Sequence, residues 1–181
     1  DFAELFPGAL ASFAEGDIVA LDVGGDVVKA TSSAGIIGAY SVSPNVLGNW
    51  FDGWEGAGTH VPVGLLGQLP VNVDDSGGAI TTGDYITLSS TAGVGKKANG
   101  PGYVLGRALE DHASGSGTIE VFIEPNWNAG GSITSDGVNH TFDESFAFTK
   151  TGAADASTQG FASESLTFRG SGWDGGSAQD V

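Results

Sequence analysis

Apolar residues in this chain come in short runs rather than in long stripes. Ile18–Leu21, Val27–Ala30, Ile36–Val42, Val61–Leu66, Gln68–Val73, Tyr85–Leu88, Tyr103–Ala108 and Thr118–Ile123 are rich in Val, Ile, Leu and Thr. Turn-forming text separates them, most plainly Gly24-Gly25, Asp75-Ser76-Gly77-Gly78 and Ser114-Gly115. Short runs bounded by Gly, Asp and Ser predict strands joined by tight turns. Helix signals are scarce: only Phe2–Phe13 has room for a turn or two, and Pro7-Gly8 interrupts it. Val61 to Val73 is almost continuously apolar. Its prolines, Pro62 and Pro70, predict strand ends or an edge, because proline gives the ladder no N–H. The fold class is therefore all-β, a compact β-barrel or β-clip-like domain.

One pattern rises above generic strand text. Glu15-Gly16-Asp17-Ile18-Val19-Ala20-Leu21 matches Thr82-Gly83-Asp84-Tyr85-Ile86-Thr87-Leu88, and Val27-Val28-Lys29-Ala30 matches the text ending in Lys96-Lys97-Ala98. Ile36-Ile37-Gly38-Ala39 then matches Val104-Leu105-Gly106-Arg107-Ala108. Gly83 follows Gly16 by 67 positions and Gly106 follows Gly38 by 68. Each unit places a turn before a strand, then a glycine where another backbone comes close. Two similar halves, each too small for its own core, are expected to close on one another and leave few free edges.

Residues 1–125 are read as this domain. From residue 126 to 181 the long apolar runs give way to Ser, Thr, Gly and Asp, with short alternating stretches at Thr141–Thr149 and Glu164–Arg169. That part predicts an extended, β-rich fibre or intersubunit segment. Between the halves, residues 45–60 form a loop rich in Gly, Asn and Trp that holds Trp50, Phe51 and Trp54.

Charge and composition narrow the function classes. The net charge is −16, from 22 acidic and 6 basic residues. Such a surface repels phosphate backbones and anionic lipid, so nucleic acid and membrane surfaces are not expected partners. No apolar run approaches the roughly 18 residues of a membrane span. There is no Cys, which removes disulfides and thiolate chemistry, and no Met, which suggests an N-terminus made by proteolysis or a segment of something larger. The setting expected is extracellular, cell-surface or virion.

In order along the chain, Asp1-Phe2-Ala3-Glu4, Gly16–Leu21, Ile36–Pro44, Val61–Val73, Gly83-Asp84-Tyr85 and Gly106–Glu110 resemble the autoproteolytic intramolecular-chaperone domain at the C-terminal end of phage tailspikes and neck appendages. Related domains occur in large repetitive surface proteins of bacteria. The resemblance covers residues 1–125. It implies a homotrimer that registers and caps the chains of a fibre, and a module released by self-cleavage just before an Asp-aromatic-Ala-Glu sequence. Asp1 would then be the residue on the new N-terminal side, with a Ser upstream as nucleophile.

Self-cleavage of that kind needs an attacking oxygen, a base and donors for the oxyanion; Glu4 is close enough in sequence to assist. A turnover enzyme is not expected, and at most the chain is a single-turnover self-cleaving protease. Lys96 and Lys97 read as solvated rather than as partners of Ser89 or Ser90 in a Ser–Lys pair. His60, His112 and His140 are isolated, and no Gly-x-Ser-x-Gly elbow accompanies them. No cofactor is expected. Calcium is the one credible ion, through Asp22–Asp26 or Asp74-Asp75, although neither is a complete calcium loop. Trp50, Phe51 and Trp54 are candidates for a glycan or intersubunit contact, which makes a glycan-binding adhesin domain the alternative. A subunit of an open extracellular filament is the other.

Overall fold

The computed structural model describes residues 1–129 and, beyond them, the backbone of four short strands at residues 133–135, 140–142, 171–173 and 178–180. The chain divides into two compact units, Asp1–Glu144 and Ser145–Val181. In chain order the strands are β1 (Phe2–Pro7), β2 (Ile18–Leu21), β3 (Val27–Lys29), β4 (Ile36–Tyr40), β5 (Val46–Gly48), β6 (His60–Asp74), β7 (Tyr85–Leu88), β8 (Gly95–Lys97), β9 (Gly102–Ala108) and β10 (Ser116–Asn128). The only α-helix among the described residues is the single turn α1 (Trp54–Ala57). The paired strands β11 (Ile133–Ser135) and β12 (His140–Phe142) follow, then β13 (Ser171–Trp173) with β14 (Ala178–Asp180). The domain is all-β, as the short apolar runs predict. The extension read from residue 126 onward lies almost wholly outside the described residues, as do most of Thr141–Thr149 and all of Glu164–Arg169.

Strand β6 is the spine. Its first part pairs antiparallel with β1 and β4, and from Gly67 onward it pairs with β10. β10 continues to β9, β9 to β7 and β7 to β8. β8 returns to β6 through the parallel pair Val73↔Gly95, which closes a ring of strands. Both prolines lie inside β6, not at an end or edge. Pro62 is opposite Leu5 and Pro70 opposite Glu120. The strand tolerates them because it changes partners midway, and because Pro62 still serves its second side by accepting the Ser41 N–H at 3.0 Å.

The expected helical turn over Phe2–Phe13 is also corrected. Phe2–Pro7 is a strand, and only Leu10–Ser12 winds into a 3-10 turn. Ala3 and Leu5 are buried while Phe2 and Pro7 are exposed. That two-residue alternation between two strand partners outweighs the helix propensity of Ala, Glu and Leu.

The two matching halves repeat a set of backbone bonds. Gly16 N–H donates to Tyr40 O at 3.0 Å, and Gly83 N–H to Ala108 O at 2.8 Å. Tyr40 N–H returns to Asp17 O at 2.8 Å, and Ala108 N–H to Asp84 O at 2.9 Å. The pairs Val19↔Lys29 and Val19↔Gly38 recur as Ile86↔Lys97 and Ile86↔Gly106. The halves share one interior. Ile18, Ala20, Ala30 and Ala39 of the first pack with Ile86, Leu88, Leu105 and Ala108 of the second, around Leu69, Val71 and Val73 of β6. A second cluster, Val19, Val27, Val61 and Val63, fills the other side of β2.

Candidate functional site

The N-terminus is docked into the sheet. Phe2–Glu4 runs parallel to β5 on one side and antiparallel to β6 on the other. The Asp1 α-ammonium donates to Asn45 Oδ1 at 3.0 Å, and Asp1 O accepts the Val46 N–H at 3.3 Å. Asp1 Oδ2 is buried without a hydrogen-bond partner. Glu4 is three residues along an extended strand, roughly 10 Å of rise from Asp1. Its Oε2 accepts from Asn49 Nδ2 at 3.3 Å, so the fold does not hydrogen-bond the two candidate residues to each other. Each is held by its own asparagine on one short segment. Asn45 and Asn49 carry no motif, and the sequence reading missed both.

The aromatic loop does not present one continuous face. Trp50 is 61% exposed and Phe51 is 37% exposed, whereas Trp54, at 9%, is buried and its Nε1 finds no partner. Phe51 meets the edge of His60 with ring centroids 4.8 Å apart. A sugar ring at this surface would meet Trp50 and Phe51 but not Trp54.

The other candidates are occupied by turn chemistry. Asp22 Oδ1 accepts the N–H of Gly24 at 2.7 Å and of Asp26 at 3.0 Å. Asp74 Oδ1 accepts from the Ser76 amide and hydroxyl, and Asp75 Oδ2 accepts the Gly115 N–H at 2.8 Å. Ser89 Oγ accepts the Thr91 N–H at 3.0 Å, and Lys97 pairs with Asp84 at 2.8 Å. His112 Nε2 lies 2.9 Å from Gly115 O. His140 falls in β12, where side chains are not described.

A matched pair of ionic turns emerges instead. Asp17 Oδ2 accepts the Ala14 N–H at 2.8 Å and meets Lys29 Nζ at 2.7 Å. Asp84 Oδ2 accepts the Thr81 N–H at 2.8 Å and meets Lys97 Nζ at 2.8 Å. The signal was the lysine that follows the Gly-Asp run in both copies of the text.

Acid should weaken the domain through such carboxylates. Burial works to raise Asp84, but the Lys97 hydrogen bond, the Thr81 amide and hydroxyl, and the Lys97 charge together hold it below its ordinary value. Asp74 is likewise lowered: burial again opposes, and Ser76, Ser89 and Lys96 prevail. A lowered folded pKa adds stability above the unfolded pKa and withdraws it as pH falls through the folded value. Glu120 runs the other way, raised by burial and then by the Glu110 charge, with partial relief from the N-terminal ammonium. The Tm is expected to fall below pH about 4, and Asp84→Asn to flatten that fall in melts taken across pH. Glu120→Gln should raise the Tm at neutral pH.

Strands closed into a ring, two equivalent turn units and a docked N-terminal strand define a compact β module with no convergent acid–base cleft among the described residues. Solved structures of a phage protein share its fold. One is the C-terminal fragment of bacteriophage phi29 gene product 12, at 20% identity and a TM-score of 0.50; the match covers 68% of this chain and 100% of that one. Another is the pre-mature form of bacteriophage phi29 gene product 12, at 19% identity and a TM-score of 0.50, covering 68% of this chain and 21% of that one. No family model matches the chain, and no curated protein matches its sequence.

Proposed function

We propose that this chain is a structural assembly module of a virion appendage or kindred extracellular fibre. Three copies associate to register and cap the fibre chains, and self-cleavage just before Asp1 releases the module. Residues 126–181 reach along or between the subunits. One observation carries the reading. The fold spans the whole of a fragment described as C-terminal and about a fifth of a phage protein described as pre-mature, so it occurs as a terminal portion of a longer chain.

A row of exposed apolar side chains supports self-association. Phe2 pairs with Val46 on one side and Leu66 on the other, and the three are 39%, 54% and 53% exposed. Directly opposite residues on neighbouring strands share a face, so these form one patch across β5, β1 and β6. Light scattering is expected to give three times the chain mass. Leu66→Asp should weaken the trimer by at least about tenfold while leaving the fold intact. A stable monomer at high concentration would overturn the reading. The glycan alternative narrows to Trp50 and Phe51.

A further inference from the structure

We infer that the outer edge of β5 is a strand-addition site. It takes up an extended segment of another polypeptide that carries an apolar residue and, two positions away, a Lys or Arg. The inference rests on the exposed row of Phe2, Val46 and Leu66, and not on trimer formation or self-cleavage.

The backbone supplies the first half of the site. β5 pairs with β1 and with no other described strand. Successive residues of a strand turn their N–H and C=O to opposite sides. Val46 N–H donates to Asp1 O, so Val46 and Gly48 face β1 while the N–H and C=O of Leu47 face away from it. Among the described residues no group bonds to either. Such an edge is a template for a further strand unless a lysine, a proline, a bulge or a covering loop blunts it. Val46, Leu47 and Gly48 supply none of these. The other terminal strand, β3, is covered: a Cβ on Gly8 would stand 3.0 Å from Val27 O, and Val27 is buried. Beyond β5, Asn49 at φ 54 turns the chain off the edge, so the site is short.

Side chains set the chemistry of the segment that fits. Phe2 stands opposite Val46 and Glu4 opposite Gly48, on one face of the sheet. A strand added beyond β5 continues both rows. Next to Val46 it extends the exposed apolar row, where an apolar side chain removes further area from water. Next to Gly48 no side chain intervenes, and the Glu4 carboxylate leans into that space: a Cβ on Gly48 would stand 2.8 Å from Glu4 Cγ and 3.2 Å from Oε1. Oε2 accepts from Asn49, while Oε1 has no hydrogen bond among the described residues. A Lys or Arg at that place meets a carboxylate with an oxygen to spare. The two places lie two residues apart whichever way the added strand runs. A second copy of β5 does not satisfy them. Two such edges paired on Leu47 would set Val46 of one against Gly48 of the other and bring no cation to either Glu4.

The test adds an acetylated and amidated heptapeptide, Thr-Thr-Val-Thr-Lys-Thr-Thr, to the full chain and follows backbone amide exchange by NMR. Without peptide, the Leu47 amide is expected to exchange fast and the Val46 amide, bonded to Asp1 O, slowly. Peptide at millimolar concentration should slow Leu47 by at least about tenfold. Leu47→Pro removes the outward N–H, leaves the bonds to β1 in place and should abolish binding. The same peptide with Glu in place of Lys should bind about two- to fivefold more weakly, and Glu4→Lys should reverse that preference. No slowing at Leu47, or binding retained by a folded Leu47→Pro protein, would overturn the site. Equal binding of the two peptides would overturn the cation that it selects. If Leu47→Pro does not fold, a Glu4→Lys protein that keeps the original preference overturns the inference equally. Protection of Leu47 that needs no peptide and grows with protein concentration would put a second copy on the edge, and the inference fails. Light scattering on the same samples keeps self-association apart: a monomer whose Leu47 slows with peptide removes the trimer alone.

Discussion

Gly106→Ala is expected to destabilise the domain by about 3 kcal/mol or more, enough to leave much of it unfolded. Gly106 is buried in β9, and a methyl group there would fall on the backbone carbonyl of Phe122 in β10. That carbonyl has no rotamer to escape into. β10 is held on its other side by the register Ile119↔Val71 through Ile123↔Gly67 on β6, so relief requires two ladders to separate. Gly38 is the equivalent position in the first half. Its added carbon would strike Gly64 O and stand 2.8 Å from Val63 Cγ1, so Gly38→Ala should cost a similar amount. Gly56 supplies the contrast: it lies in α1 with nothing within 4 Å of an added Cβ, and alanine there should be neutral or stabilise by about 0.5–1 kcal/mol. Urea unfolding at one fixed protein concentration reads all three, since association adds to apparent stability. Losses below about 1 kcal/mol at both buried glycines would remove the close approach as the reason that the repeat keeps them.

Much of this architecture was legible in the chain, and the exceptions share physical causes. Ile18–Leu21 and Tyr85–Leu88 were readable end for end because valine- and isoleucine-rich text is cut sharply by Gly-Asp turns. The doubling was readable because close backbone approach and turn geometry restrict the residue as strongly as packing does, so the same glycines and aspartates recur. Strands β5 and β8 escaped because three residues of Val-Leu-Gly or Gly-Lys-Lys show no periodicity. They are strands only because a neighbour far along the chain offers hydrogen bonds. β1 escaped because Phe-Ala-Glu-Leu-Phe suits a helix locally, and only the arrival of β5 and β6 decides otherwise. The docked N-terminus shows the same limit. Asp1 and Glu4 stood out by resemblance, but Asn45 and Asn49 meet them through a parallel pairing that no local pattern announces. Trp54 carried a binding expectation drawn from residue type, and the backbone turn at Gly53 and α1 carries it inward instead.

Asp17→Ala is expected to cost about 3 kcal/mol, and Asp84→Ala about 1–2 kcal/mol, although the two residues occupy equivalent turns. The difference follows from exposure and partners. The Asp17 side chain is 5% exposed and accepts from the Ala14 amide, the Asn72 side chain and Lys29. Asp84 is 21% exposed, and water can replace part of what Thr81 and Lys97 donate to it. The ion pairs themselves contribute little. Lys29 and Lys97 are 38% and 32% exposed, so solvent screens both, and a double-mutant cycle between Asp17 and Lys29 should return a coupling below about 1 kcal/mol. Most of the loss then comes from the Ala14 amide, stranded without an acceptor, with a smaller part from Asn72, whose amide loses one bond and keeps the one to Glu15 O. Equal costs at the two aspartates, or a coupling that accounts for most of the loss, would contradict this assignment. The denaturant slope carries a second outcome. Ile18 and Ile86, one residue beyond Asp17 and two beyond Asp84, lie in the same core. Breaking either turn should therefore lower the midpoint of a single transition with its slope unchanged; a second transition in either variant would mean that the halves unfold apart.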